Sequence, residues 1–510
     1  MKKLLRPLAL SAALGAGGIL GTDLLLADEK PAKPIDPPPV KALPADPVKP
    51  LLPPGLPGRA GGNATPMNES KPDTDVAPVK VGDAVVKTDF ALKPKDISAQ
   101  VKKGLDFLVK SQQEDGGWNQ GGGWRTGVNG GGRVDGPKVE DPSDIGNTCF
   151  VLLALLRAGN TVTDGEYKEH VKKGLAFVIA KVEKADKDSL YVTDVRGTQL
   201  QSKIGPYVDT FLVNLVLAEF RGKSGDQEKK LIVALEKTMT KIVRHQTADG
   251  GFAGNGGWAS TLSMGICNKG LARAKERGAV VDEVVLKRAL AQSSSATTGA
   301  APVAVAKPGA KVGAPATDTT ALAAPGLAGR AGDAGVGLYA QSQGAGNGQD
   351  ILNSLRADER KAKEVLADPK APKAEKEKAT KTLDEVKKLD DANDKVQAGL
   401  AKQVKDDRFV AGFGNNGGEE FLSFMNISEA LLLKGGKDWE EWDAKMAKGL
   451  EKAQDKDGSW QGHHCITGKT FCTAGALLVL LADRTTFPVD VLKAAKEKKD
   501  TEPKPAAPKP

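Results

Sequence analysis

The densest group of chemically versatile side chains is His463-His464-Cys465, with Cys472 seven residues on. Imidazole and thiolate are both zinc ligands, and a thiol beside an imidazole can form a nucleophile pair. The spacing argues against both uses. No Cys-x-x-Cys occurs, and side chains adjacent in sequence usually diverge. The expectation is therefore no metal and no cofactor, with His463 and His464 on a polar rim. Glu419-Glu420 is a second candidate, since paired carboxyls can divide the acid and base work of hydrolysis or elimination. Cys149 and Cys267 complete a set of four cysteines in 510 residues. That is too few for a disulfide framework, so buried thiols are expected, with one bridge as the alternative. No Gly-x-Ser-x-Gly, Walker or dinucleotide motif is present. The glycines at 121–132 form a loose loop rather than a phosphate cradle.

The elements that would hold these residues show themselves by repetition. The heptapeptide Val-Lys-Lys-Gly-Leu-Asp-Phe at 101–107 recurs with one change at 171–177, and a shorter echo lies at 448–454. Gln112, Asp115 and Trp118 share their spacing with Gln246, Asp249 and Phe252 and with Gln454, Asp457 and Trp460. Glycine supplies a sharp turn after each Asp. The Asp accepts backbone N–H groups in that turn, and the aromatic pins the loop. Each loop leads from an amphipathic outer helix to an inner helix that is apolar nearly all round, as a helix buried on both sides must be. A lone hairpin of this kind cannot bury both helices, so neighbours stack.

Six outer segments (96–112, 166–184, 226–246, 281–293, part of 350–407, 438–455) alternate with six inner ones (144–158, 207–221, 258–276, about 327–343, 420–434, 470–483). The starts of the inner helices carry polar residues. They are Asp144, Asn147 and Thr148; Asp209 and Thr210; Thr261 and Ser263; Glu419, Glu420 and Ser423; and His463, His464, Thr470 and Thr473. Helix capping accounts for most such residues. Together they are the candidate lining of a central pocket, the default ligand site.

Composition divides the rest. Residues 1–27 have a basic start and an apolar stretch and are expected to be an export signal. Residues 28–93 are a Pro/Lys-rich linker expected to be extended and disordered. Residues 94–293 and 408–485 carry the repeats, and 326–349 a weaker hairpin. Residues 294–325 are a disordered Ala/Gly-rich insertion, 350–407 a solvated helical or coiled-coil hairpin, and 486–510 a Lys/Pro-rich tail. The net charge of +8 is mostly terminal, with two charges in the signal and three from Lys493 onward. No helix face concentrates it, so nucleic acid is excluded as a partner. Export predicts a periplasmic or extracellular protein, held near the envelope by its linker.

The three Gln-x-x-Asp-Gly-Gly/Ser-Trp/Phe loops resemble the repeats of squalene cyclases and of protein prenyltransferase β-subunits. The stretch from Asp457 to Leu481 resembles the last repeat of a squalene-cyclase C-terminal domain. The resemblance covers residues 96–293 and 409–485. It implies an all-α (α/α)6 toroid whose central cavity is lined by the N-terminal ends of the inner helices. The catalytic signatures of these families are missing. No cyclase Asp-x-Asp-Asp motif occurs, and Asp73-Thr-Asp75 is a solvated pair in the linker. Asp390, Asp391 and Asp394 spell the magnesium–diphosphate motif of class I isoprenoid synthases, but amid lysines in a charged stretch. Prenyltransferase β-subunits hold zinc with Asp, Cys and His, and their Asp-x-Cys element has no counterpart. Aromatics make up 5% of the chain, few for stabilising carbocations. The expected function is a non-catalytic toroid binding a lipid, glycan or protein. A divergent terpenoid cyclase or prenyltransferase-like enzyme is the alternative, and a structural envelope protein the third.

Overall fold

A computed structural model describes residues 69–125, 132–134, 141–298, 331–414 and 416–501, all within the unit Gly58–Pro510. Along the chain run β1 (Thr88–Phe90), α1 (Ala99–Lys110), β2 (Gly123–Arg125), β3 (Gly132–Val134), α2 (Ile145–Arg157), α3 (Lys168–Lys184), α4 (Gln199–Ile204), α5 (Val208–Phe220), α6 (Glu228–His245), α7 (Ser260–Glu276) and α8 (Glu283–Thr298). There follow α9 (Gly337–Ala367), α10 (Lys373–Gln403), α11 (Asp407–Val410), α12 (Gly418–Lys434), α13 (Gly436–Ala453), α14 (Lys469–Leu480), β4 (Thr486–Pro488) and α15 (Val489–Thr501). The fold is all-α. β1 pairs antiparallel with β4, and β2 with β3.

The sequence repeats explain one another in three dimensions. Gln112 Nε2 donates to Gly116 O (2.8 Å) and to His170 O on α3 (3.0 Å). Gln454 Nε2 does the same to Gly458 O (2.9 Å) and Gln100 O on α1 (3.0 Å). Asp115 and Asp457 accept the N–H two residues on. Gly116 and Gly458 take φ of 87° and 88°, where an L-residue is strained. A Cβ there would also lie 2.8 and 2.5 Å from the carbonyls of Lys173 and Lys103. Trp118 and Trp460, both fully buried, donate Nε1–H to Leu108 O and Leu450 O. Their rings lie over Gly174 and Gly104, where a Cβ would sit 2.8 and 2.9 Å from the indole. So the Gln–Asp–Trp loop of one hairpin docks on the Lys-Lys-Gly of another outer helix. The last loop docks on α1, the first helix.

Every residue of α2 and of α5 is buried, while α1, α6 and α13 bury one face. The inner helices pack in a definite order: α2 on α5, α5 on α7, α7 on α9, α9 on α12, α12 on α14, and α14 on α2. A glycine marks most of these seams. Gly146 faces Asp209, Gly270 faces Asn214, Gly265 faces Gln343, Gly346 faces Asn426 and Gly475 faces Phe421. Phe150 of α2 stacks on Phe471 of α14 at 4.1 Å. Farther along the same helices lies a buried ion network. Arg157 pairs with Glu429 (2.8 Å), Lys269 with Asp350 and Glu429 (2.7 Å each), Arg273 with Glu276 (2.9 Å) and Arg277 with Glu219 (3.3 Å). Arg157–Glu429 joins α2 to α12, which are not neighbours in the packing order.

Several expected boundaries move. The 349/350 division falls inside α9, a single helix of 31 residues that joins the weak hairpin to the charged stretch. That stretch is not simply solvated, because α10 buries Val386, Leu389, Val396 and Leu400. The linker is folded from residue 69. Asp73 N–H bonds Arg244 O, Val81 N–H bonds Glu236, and β1 joins β4. The tail is helical to Thr501, where Lys498 binds Asp390 and Asp394. The expected signal, most of the linker and nearly all of the 294–325 insertion lie outside the described residues. Within the described residues no helix is long and apolar enough to cross a membrane.

Candidate functional site

Glu419 and Glu420 open α12 and are almost completely buried. Gly418 N–H bonds Ile466 O (2.9 Å), which draws the 463–466 turn over this helix start. Cys465 occupies that turn with φ of 53°, rare for a residue with a side chain. Ile466 N–H donates to Glu419 Oε2 (3.2 Å). Donor atoms of Glu419, His464 and Cys465 all lie within 4.8 Å of one another, the one such group among the described residues. Glu420 is held differently. Tyr339 O–H donates to its Oε1 at 2.6 Å and Phe413 N–H to the same atom at 3.1 Å, while His464 Nε2 stands 3.5 Å from Oε2.

Burial, reinforced by the neighbouring Glu420, lifts the Glu419 carboxyl to about 8. Burial also raises Glu420, against the opposing bonds from Tyr339 and Phe413. Burial and the Glu419 charge push the Cys465 thiol to about 12. A proton-holding acid therefore sits beside a second buried carboxyl, a pairing that can give and take protons. The outer edge is aromatic. Trp258 meets Phe413 edge-on at 5.0 Å and Tyr339 at 6.4 Å, and Phe413 meets His464 at 5.1 Å. Phe413 is 53% exposed.

A second acidic pair lies at the starts of α2 and α5. Asp144 caps α2, accepting Asn147 N–H and Nδ2–H at 2.8 Å each. Asp209 accepts from Gln201. Both carboxyls flank Gly146. Burial and the Asp209 charge raise Asp144 to about 7, and burial raises Asp209 to about 6.

Other expected lining residues are occupied in holding the fold. Thr148 and Thr473 receive the Trp118 and Trp460 N–H groups at 2.9 Å. Thr210 donates to Leu190 O, Ser263 to Ser260 O and Ser423 to Glu419 O. Thr261 and Thr470 are buried, and the Thr470 hydroxyl has no hydrogen-bond partner. His463 is exposed, and its backbone N–H donates to Asn416 O ahead of α12 (2.8 Å). All four cysteines are free thiols. Asp390, of the diphosphate-like motif, is engaged by Arg356 and Lys498. The sequence did not single out Trp258, Tyr339 or Phe413. They come from three separate segments, and only their position after a loop glycine or at a helix start hinted at them.

No family model matches the chain, and no curated protein matches it.

Proposed function

We propose that the protein is an exported α/α toroid of the squalene-cyclase and prenyltransferase-repeat kind that binds a ligand without transforming it. The cyclic packing order of the six inner helices supports the ring, as does the docking of the last loop on α1. The ligand site is the face made by the starts of α9 and α12 and the 463–466 turn, with Trp258 and Phe413 as its rim. One observation carries the choice of a binder over a polyene cyclase. Ion pairs such as Arg157–Glu429 and Lys269–Glu429 cross between inner helices that are not neighbours, and buried charge rather than apolar surface between them suits a large hydrocarbon poorly. Buried carboxylate acceptors beside aromatic faces suit a hydroxyl-rich ligand such as a glycan better than a lipid chain.

Native mass spectrometry and glycan or lipid extraction of the full-length secreted protein test this. A ligand should co-purify, or bind from a glycan panel, and be lost at least tenfold in Phe413→Ala and Trp258→Ala. Binding unchanged in both variants would remove the site. A second reading is favoured by the proton held on Glu419 beside Glu420, which fits a hydrolytic acid–base pair. Turnover of a glycan by the wild type that disappears in Glu419→Gln and Glu420→Gln would replace the non-catalytic reading with this one.

A further inference from the structure

We infer that Glu419, His464 and Cys465 form a three-ligand site for a zinc-class divalent metal, with a fourth coordination position open beside the Phe413 and Trp258 rings.

The three donors come from two places, the start of α12 and the 463–466 turn, and meet within 4.8 Å. Ligand atoms around a tetrahedral zinc, with bonds of about 2.0–2.3 Å, lie roughly 3.3–3.8 Å apart. Closing the set on a metal requires a contraction of about 1.5 Å at most, within the reach of side-chain torsions. Two further observations point to a ligand. Glu419 is fully buried, its Oε1 meets no strong donor, and its side-chain neighbour is the Cys465 thiol, a weak one. A buried carboxyl given only a weak donor is disfavoured in its charged form, and a cation removes that cost. Cys465 adopts a left-handed backbone although it is not glycine. Such strain persists where the surroundings impose it, most often at functional sites. Here the turn it makes carries Ile466 N–H onto Glu419 Oε2 and sets the thiol beside the carboxylate.

The outer shell is built in the same sense. Glu420 lies 3.5 Å from His464 Nε2 and is itself fixed by Tyr339 O–H and Phe413 N–H. A carboxylate oriented on an imidazole in this way is the usual support of a metal-bound histidine. The donor set also selects the metal. One sulfur, one nitrogen and one oxygen favour zinc or cobalt and disfavour calcium and magnesium, which take oxygen ligands. Binding converts the Cys465 thiol to a metal thiolate and the Glu419 acid to a carboxylate. Their protons pass to solvent, so affinity rises with pH. The inference adds a metal to the ligand site proposed above, yet it can be tested with no organic ligand present.

The test uses full-length protein, stripped with a chelator and titrated with cobalt(II). The expected result is one equivalent bound, with sulfur-to-cobalt charge-transfer absorption that zinc displaces. Cys465→Ser should abolish that absorption and weaken binding at least 100-fold. Glu420→Gln and Tyr339→Phe should keep the absorption and weaken binding about 10–100-fold. Cys472→Ser, which removes a buried thiol outside the set, should change neither. Absence of sulfur-to-cobalt absorption in folded wild type overturns the assignment, as does absorption that survives Cys465→Ser or vanishes in Cys472→Ser. Should Cys465→Ser fail to fold, the wild-type and Cys472→Ser titrations still decide. Glycan binding lost while cobalt binding persists would fault only the ligand reading.

Discussion

Asp144 and Asp209 face each other across Gly146 in a setting that disfavours charge. Asp141 adds to the repulsion on Asp144, and Arg196, which eases Asp209, is exposed. A carboxyl whose pKa is raised by folding keeps its proton in the native state at a pH where the unfolded chain has lost it. Stability therefore falls as pH rises through the window from about 4 to about 7. The slope is about 1.4 kcal/mol per pH unit for each proton held in excess. Glu219 acts in the opposite sense. Burial would raise it, but Arg277, Arg273 and Arg157 hold it at about 2, so its contribution is lost only on acidification. Asn also serves as an N-cap, so Asp144→Asn with Asp209→Asn removes the charges and keeps the helix start. The wild type should melt at a lower temperature at pH 8 than at pH 5. The double variant should show a clearly shallower slope, not a flat one, because Glu419, Glu420 and Glu276 shift in the same direction. Equal slopes in the two proteins would refute the assignment. Both acidic pairs could be picked out in the sequence as polar residues at inner-helix starts. The partnership of Glu419 with Cys465 could not. Glu419 and Ile466 stand 47 residues apart, and only the packing of α12 on α14 and its preceding turn joins them.

At the scale of elements, the fit of each loop aromatic to the helix beneath it follows a rule that can be broken and repaired. Gln246 Nε2 reaches Val285 O on α8 (3.5 Å), as Gln112 reaches His170 and Gln454 reaches Gln100. Four residues on, α3 and α1 place Gly174 and Gly104, whereas α8 places Ala289. The loops over the glycines carry Trp, and the loop over the alanine carries Phe252. A Cβ at Gly174 would meet the Trp118 ring at 2.8 Å and Leu152 Cδ2 at 3.0 Å. Gly174→Ala should thus cost about 1–3 kcal/mol by overpacking. Adding Trp118→Phe should recover part of that loss. A double-mutant cycle from denaturant melts should give a favourable coupling of at least ~0.5 kcal/mol, and simple additivity would reject the rule. These loops are legible in sequence because turn, cap and aromatic lie within seven residues. The α9 helix is not, because its start is rich in glycine, a poor helix former. Gly346 is there to admit Asn426 of α12, whose Cβ lies 3.2 Å from where a Gly346 Cβ would sit. Tertiary packing overrides propensity, and the charged half of the same helix then reads as a separate hairpin.

At the scale of the whole molecule, the proposed ring differs from an open stack of the same hairpins in one measurable respect. An open array of repeats is held by nearest-neighbour contacts, so its two ends have one neighbour each and fray first. In the ring, α14 packs on α2 and the loop after α13 docks on α1, so the terminal hairpin borders the first one. The buried ions tie non-neighbouring helices as well, since Glu429 of α12 binds Arg157 of α2 and Lys269 of α7. The segment from Asp73 to Lys95 adds a further tie, bonding to α6 at Arg244, to the turn after α7 at Gly278 and to Asp483 after α14. Native-state hydrogen exchange can read the difference helix by helix. In a closed ring, the slowest amides of α1 and α14 should open with nearly the free energy of those in α5 and α7, within about tenfold in protection, or ~1.4 kcal/mol. In an open stack, α1 and α14 would exchange several kcal/mol more easily than the central pair. Protection that declines steadily from α5 and α7 outward to α1 and α14 would reject closure, and with it the toroid, while leaving the contacts of the α9 start, the α12 start and the turn before α14 in place.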